Sequence, residues 1–123
     1  RAMIVHGDDG LDEISTTTST KISQLNSDSS IETRSISAVD YGFILATLDE
    51  LQGGMPDENA EIIKNILNCS DTGKKADIVI LNAAAGIYVG GGADTIEEGI
   101  RIAKDTISSR AAMKILRELA TIK

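Results

Sequence analysis

From Pro56 onward the apolar residues fall at helical spacing, and this constrains the fold more than any other feature of the sequence. Ala60, Ile63 and Leu67 follow a proline suited to a first turn, with Asp57 and Glu58 at the positive end of the helix dipole. A second stripe, Ile96, Ile100, Ala103 and Ile107, begins at Asp94-Thr95-Ile96-Glu97, which has the form of a capping box. Ser109 is placed to cap a last helix, with Ala112, Leu116 and Leu119 facing inward. One-sided helices need an apolar surface to cover, so the N-terminal part of the chain has to supply one.

That part reads as β structure. Ala2-Met3-Ile4-Val5 is expected to form a short buried strand that ends in the polar loop from Gly7 to Glu13, the place where open α/β sheets present ligands. A hydroxyl-rich stretch, Ser15 to Thr20, leads into a hairpin of Lys21–Leu25 and Ile31–Ser37 around the turn Asn26-Ser27-Asp28-Ser29-Ser30. Ser37 to Gly54 shows no regular pattern beyond a helical turn near Ala38-Val39-Asp40. Ala76 to Val89 is ambiguous by periodicity, because Ile78 to Leu81 suits a buried strand and Asn82 to Ala85 suits a helix. The sum is an α/β or α+β domain with a helical C-terminal half, which by itself says nothing about chemistry.

Charge and composition narrow the ligand classes. The formal net charge is -7 and the only aromatics are Tyr41, Phe43 and Tyr88, so the chain lacks both the cations that displace counterions from phosphates and the rings that stack on bases. Nucleic acid is not an expected partner. An acidic pocket would also repel a small anion unless a divalent cation bridged the two. Cys69 is the single cysteine, which rules out an internal disulfide or a cysteine metal cluster and fits a cytoplasmic setting. No run approaches the ~20 apolar residues that span a bilayer, so no membrane role is expected. The start at Arg1, directly before an apolar run, reads as a strand already in progress and suggests a piece of a longer chain.

The residues that suggest chemistry lie in the first loop. Four carboxylates, Asp8, Asp9, Asp12 and Glu13, fall within six residues interrupted by Gly10. Like charges this close repel unless a cation sits among them, and a hard divalent ion such as Mg2+ or Mn2+ suits oxygen ligands. Adjacent Asp12 and Glu13 are placed to grip such an ion, while Asp8, Asp9 and His6 are open participants. The alternative is a solvated loop or the cap of a helix starting at Leu11; the spacing does not fit an EF-hand. His6 reads as a proton donor or phosphate contact, or as a structural histidine at the core edge. Gly90-Gly91-Gly92 reads as a helix terminator, since no Lys-Ser or Lys-Thr follows it. Asn82 reads as a functional residue or as a helix residue with a local hydrogen bond, and Cys69 has no nearby His to activate it.

Val5-His6-Gly7-Asp8-Asp9-Gly10-Leu11-Asp12-Glu13-Ile14-Ser15 resembles the loop that carries the Asp-Glu metal motif in the anthranilate phosphoribosyltransferases. The resemblance continues through Asp40-Tyr41-Gly42, Gly53-Gly54-Met55-Pro56-Asp57-Glu58-Asn59-Ala60, Leu81-Asn82-Ala83-Ala84-Ala85 with Tyr88-Val89, and Glu97-Glu98-Gly99, so it covers essentially the whole chain. It implies the C-terminal portion of the large α/β domain of a nucleoside phosphorylase/phosphoribosyltransferase-type fold, a short strand plus β-hairpin followed by helices, with Ala76 to Val89 helical. It also implies that residues 1–123 form one C-terminal fragment of that domain. The implied activity is transfer of the phosphoribosyl group of phosphoribosyl pyrophosphate to anthranilate in tryptophan biosynthesis, with Asp12 and Glu13 as the Mg2+ ligands. The family's Gly-Thr-Gly-Gly-Asp phosphate loop, its Lys-His-Gly-Asn segment, its anthranilate-contacting Arg and its dimer-forming helical domain are not found in these residues. The expectation is therefore that no catalytic residue lies here, that the fragment is inactive alone and that the intact enzyme is a homodimer. The competing readings are a non-catalytic relative acting as a binding protein, a nucleoside phosphorylase of the same broad fold, and a simple metal-binding or interaction domain.

Overall fold

A computed structural model describes residues 1–122. Three strands, β1 (Ala2–Gly7), β2 (Ser19–Leu25) and β3 (Ile31–Ser37), form an antiparallel meander in that order. The hairpin falls where the sequence places it. Its turn is closed by Asn26 N–H donating to Ser30 O at 2.9 Å, with Ser29 left-handed at φ 68° and the Asp28 carboxylate accepting from Ser30 N–H. The register sets Val5 opposite Ile22 and Thr20 opposite Ile36, so one face of the sheet carries Met3, Val5, Ile22 and Ile36 toward the helices.

The expected buried strand Ala2–Val5 needs correction. It runs on to Gly7, pairs antiparallel, and alternates in burial, with Ile4 75% exposed. β1 is an edge strand with only one face packed, so every second side chain points away from the core. Leu25 and Ile31 share that outer, uncovered face.

Past the strands, Ala38–Tyr41 forms a 3-10 turn held by Asp40, which accepts from Ser37 N–H at 2.8 Å, and closed by Gly42 at φ 82°. Asp40-Tyr41-Gly42 is thus a turn builder. The stretch read as irregular also contains a short helix, α1 (Leu48–Leu51), capped by Thr47 and Glu50. Helix α2 (Pro56–Leu67) starts at the expected proline, with Glu58 accepting from Met55 N–H and Asn59 clasping Gly54 through both its N–H and C=O. Its expected inner stripe is not the one the fold uses: Ile66 is buried, whereas Ala60 and Ile63 are exposed. α2 meets α4 and α5, and that contact covers Ile66 while leaving Ala60 and Ile63 outside it.

Helix α3 (Lys74–Val89) covers the segment that periodicity left ambiguous and agrees with the helix that the family resemblance implies. It ends at Gly90, with Gly91 left-handed at φ 79°, the terminator expected of the triple glycine. α4 (Ile96–Ser108) begins one residue later than the capping-box reading placed it. Thr95 rather than Asp94 is the cap, accepting from Glu98 N–H at 3.1 Å, while Glu98 reaches back to Asp94 N–H. Ser109 closes α4 instead of capping α5 (Ala111–Leu119), whose N-terminus is turned by Arg110 at φ 61°. In α5 Met113 is the buried residue and Leu119 is exposed.

The core joins the two halves. Ile14, Ile22, Ile36, Ala38 and Phe43 from the sheet side meet Leu81, Ala84, Ala85, Ile96 and Ile100 from α3 and α4. Among the described residues, no helix is long and apolar enough to cross a membrane.

Candidate functional site

The acidic loop is a tight reversal built on its own hydrogen bonds. Gly7 N–H donates to Leu11 O at 2.8 Å, Gly10 N–H to Gly7 O at 2.9 Å, and Asp8 N–H to Ser19 O at 2.9 Å. Gly10 sits at φ 92°, a conformation that side chains rarely adopt.

Two of the four carboxylates are turned to the loop itself. Asp9 accepts from Ser15 Oγ at 2.5 Å, from Thr17 Oγ1, and from Leu11 N–H at 3.1 Å. Partial burial pushes its carboxyl up, but these hydrogen bonds outweigh that effect and hold it below the ordinary carboxylate value. Asp8 accepts from Ser19 Oγ. The hydroxyl-rich stretch after the loop therefore supplies the donors for both residues.

Asp12 and Glu13 remain, and both are exposed. Asp12 Oδ1 lies 3.7 Å from His6 Nδ1. His6 lies on the outer face of β1, 60% exposed, with Lys21 opposite it on β2, so its core-edge reading is not met. Immediately after Glu13 the chain enters the core: Ile14, Ser15 and Thr16 are all buried. Ile14 N–H donates to Asn82 Oδ1 at 2.8 Å, and Asn82 Nδ2 donates to Ile14 O at 2.9 Å and to Ile78 O at 3.0 Å. Ser15 N–H donates to Thr20 Oγ1 at 2.9 Å, and Ala46 N–H donates to Thr16 O at 2.9 Å.

The geometry thus separates the carboxylates that the sequence reading grouped together. Asp8 and Asp9 are fasteners, while Asp12 and Glu13 are available. Among the described residues no three His, Cys, Asp or Glu side chains cluster into a cage. Two free neighbouring carboxylates without a third suit an ion that retains waters and takes its remaining oxygens from a ligand, the usual habit of Mg2+. The sequence reading placed Ser15 in the loop and singled out Asn82, but it did not see that Ser15 and Thr17 donate to Asp9 or that Asn82 bonds Ile14; the run of hydroxyls from Ser15 was the visible signal for the first two.

A separate hollow of about 420 Å³ lies among α2, α3 and α4, lined by Ile66, Cys69, Asp77, Ile80, Lys104 and Ile107. Burial there pushes the Asp77 carboxyl up, against the lesser downward pull of Lys74 and Lys104. Its walls are largely apolar.

Known proteins share both the sequence and the shape. The anthranilate phosphoribosyltransferase of Clostridium beijerinckii is 50% identical over 122 residues, covering 99% of this chain and 35% of its own length. That of Acetivibrio thermocellus is 48% identical over 118 residues, covering 96% of this chain and 34% of its own. The crystal structure of the Thermus thermophilus anthranilate phosphoribosyltransferase superposes with a TM-score of 0.86 at 29% identity, over 96% of this chain and 34% of that one. The Saccharomyces cerevisiae enzyme in complex with PRPP and Mg gives a TM-score of 0.82 at 26% identity, over 94% of this chain and 33% of that one. These relatives carry the name to which the loop motif pointed, and the chain spans about a third of their length. The model of the family described as "Glycosyl transferase family, a/b domain" matches residues 1–113, and the chain belongs to that family.

Proposed function

We propose that this chain is the C-terminal part of an anthranilate phosphoribosyltransferase, contributing the Mg2+-binding loop to an active site whose remainder lies in the rest of the protein. The observation that carries the reading is the exposed Asp12–Glu13 pair at the end of a loop whose other two carboxylates are tied down. In the intact enzyme phosphoribosyl pyrophosphate and anthranilate are the substrates, and pyrophosphate is the leaving group. Asp12 and Glu13 would hold the ion at the loop tip. When bound, it supplies charge neutralisation to the departing pyrophosphate, an effect worth several kcal/mol.

The chain's own contribution is placement. The loop presents two carboxylates, adjacent in sequence, to solvent. Ile14 to Thr16 anchor them to the core, so little ordering is left for the moment of binding. Lys21 puts its ammonium on the same outer face as His6, where a phosphate would be attracted. Residues 1–123 are read as one C-terminal piece of the phosphoribosyl-transfer domain. The phosphate loop, the anthranilate contact and the helical dimerisation domain are assigned to the remaining two-thirds of a homodimeric cytoplasmic enzyme.

The test is loss of anthranilate fluorescence in the presence of phosphoribosyl pyrophosphate and Mg2+, comparing the full-length protein with its Asp12→Asn, Glu13→Gln variant. Consumption that needs the metal and falls at least about 100-fold in the variant is expected, given the share of transition-state charge that the ion carries. No consumption by a well-folded full-length protein would overturn the transferase reading.

A further inference from the structure

We infer that Asn82, on α3, is a positioning residue for the Asp12–Glu13 pair, which it sets through the backbone of Ile14. The inference rests on the reading of Asp12 and Glu13 as metal ligands and goes beyond it.

Asn82 lies 68 residues from Ile14 in sequence, yet its amide meets both polar groups of that one residue, accepting from the N–H at 2.8 Å and donating to the C=O at 2.9 Å. This two-bond closure is what one peptide group does to another in a strand pair, and it fixes both peptide planes that flank Ile14. One of those planes is the Glu13–Ile14 peptide, so the clamp sets the direction in which the Glu13 side chain leaves the backbone. Asn82 is itself held. Its Nδ2 also donates to Ile78 O within α3, and Ile78, Leu81 and Ala85 around it are buried.

A purely packing role does not account for the residue type. An apolar side chain at 82 would fill the space but leave a buried N–H and C=O without partners, whereas a side chain serving α3 alone would need only the bond to Ile78 O. The physical need for a clamp lies in the charges. Asp12 and Glu13 repel each other without a cation, and a loop free to splay would do so, moving them apart before an ion arrives. Asp9 fastens the loop on the other side through Ser15, Thr17 and Leu11, so the pair is held from both ends. Groups that orient metal ligands in this way affect metal affinity by about 10- to 100-fold.

The experiment measures Mn2+ binding to the full-length protein, by the loss of the free-ion electron paramagnetic resonance signal, with phosphoribosyl pyrophosphate present. Four forms are compared: wild type, Asn82→Ala, Asp12→Asn with Glu13→Gln, and Ile66→Val, which trims a buried residue of α2 outside the loop. The expected result is Mn2+ affinity at least about tenfold weaker in Asn82→Ala, unchanged in Ile66→Val and abolished in the double variant. The concentration of Mg2+ giving half-maximal rate should rise with it, more than kcat at saturating metal falls. Should Asn82→Ala not fold, Asn82→Ser takes its place, since a hydroxyl keeps the site polar but cannot reach both groups of Ile14; a shift in the same direction is expected. Affinity within twofold of wild type in the Asn82 variant, alongside loss in the double variant, overturns the inference and leaves the metal reading standing. An equal loss in Ile66→Val also overturns it, because the effect would then be general destabilisation. Unchanged binding in the double variant overturns the metal reading itself.

Discussion

Replacing Gly99 with Ala tests the packing of the helical layer directly. Gly99 is the fourth residue of α4, fully within the helix and buried against α3. A β-carbon built there would lie 2.5 Å from Ala84 O and 3.1 Å from both Ala84 C and Ala84 Cα. Ordinary carbon-to-oxygen contacts are about 3.3 Å or longer, so the helices would have to separate by roughly 0.5 to 1 Å at the crossing. The obstacle is backbone, which no rotamer change can move. A gap of that size forfeits about a quarter to a half of each local dispersion contact around Leu81, Ala85, Ile96, Ile100 and Ala103. Overpacking of this kind costs about 1–3 kcal/mol, and the better helix propensity of Ala offsets up to about 1 kcal/mol. The expected net loss is about 1–2 kcal/mol, read as a lower midpoint of urea unfolding at unchanged slope. Gly86→Ala provides the opposite sign on the facing helix. Gly86 is exposed and a β-carbon there meets nothing within 4 Å, so a gain of about 0.5–1 kcal/mol is expected. Equal or greater stability of Gly99→Ala than wild type would refute the reasoning, because the contact with Ala84 would then not be what excludes a side chain.

Two further outcomes follow from single groups. Asp9→Asn should lower stability by about 1 kcal/mol at neutral pH, below the roughly 1.5–3 kcal/mol of hydrogen bonds to buried charged groups because the carboxylate remains partly wet. Since the folded carboxyl titrates below its unfolded value of 3.8, its contribution is present above that pH and is lost as pH falls through the lower folded value; the gap between wild type and variant in urea unfolding should close there and persist at pH 6. Thr95→Ala removes the hydroxyl that accepts from Glu98 N–H and should cost about 1 kcal/mol, whereas Thr95→Ser should lose little, as measured by thermal unfolding of the two side by side.

Local chemistry was legible in the sequence wherever the determining contacts lie within a few residues. The hairpin follows from a turn whose Asn, Asp and Ser close on one another, α2 starts at Pro56, and α4 starts within one residue of the capping box read from Asp94. The triple glycine ends α3 for the same local reason. Asp12 and Glu13 stood out because four carboxylates in six residues are costly to hold without a purpose. What the tertiary structure decided depends on partners distant in sequence. Periodicity could not choose helix for Ala76 to Val89, which is apolar nearly all round because it is covered by α4 on one side and the sheet on another. It could not tell that Ala60 and Ile63 face outward, because an apolar stripe records capacity for burial and not the presence of something to cover it. Nor could spacing separate Asp9 from Asp12. Both are acids of the same loop, and only the folded chain brings the hydroxyls of Ser15 and Thr17 to the first, leaves the second in water, and sets Asn82 against Ile14 from 68 residues away.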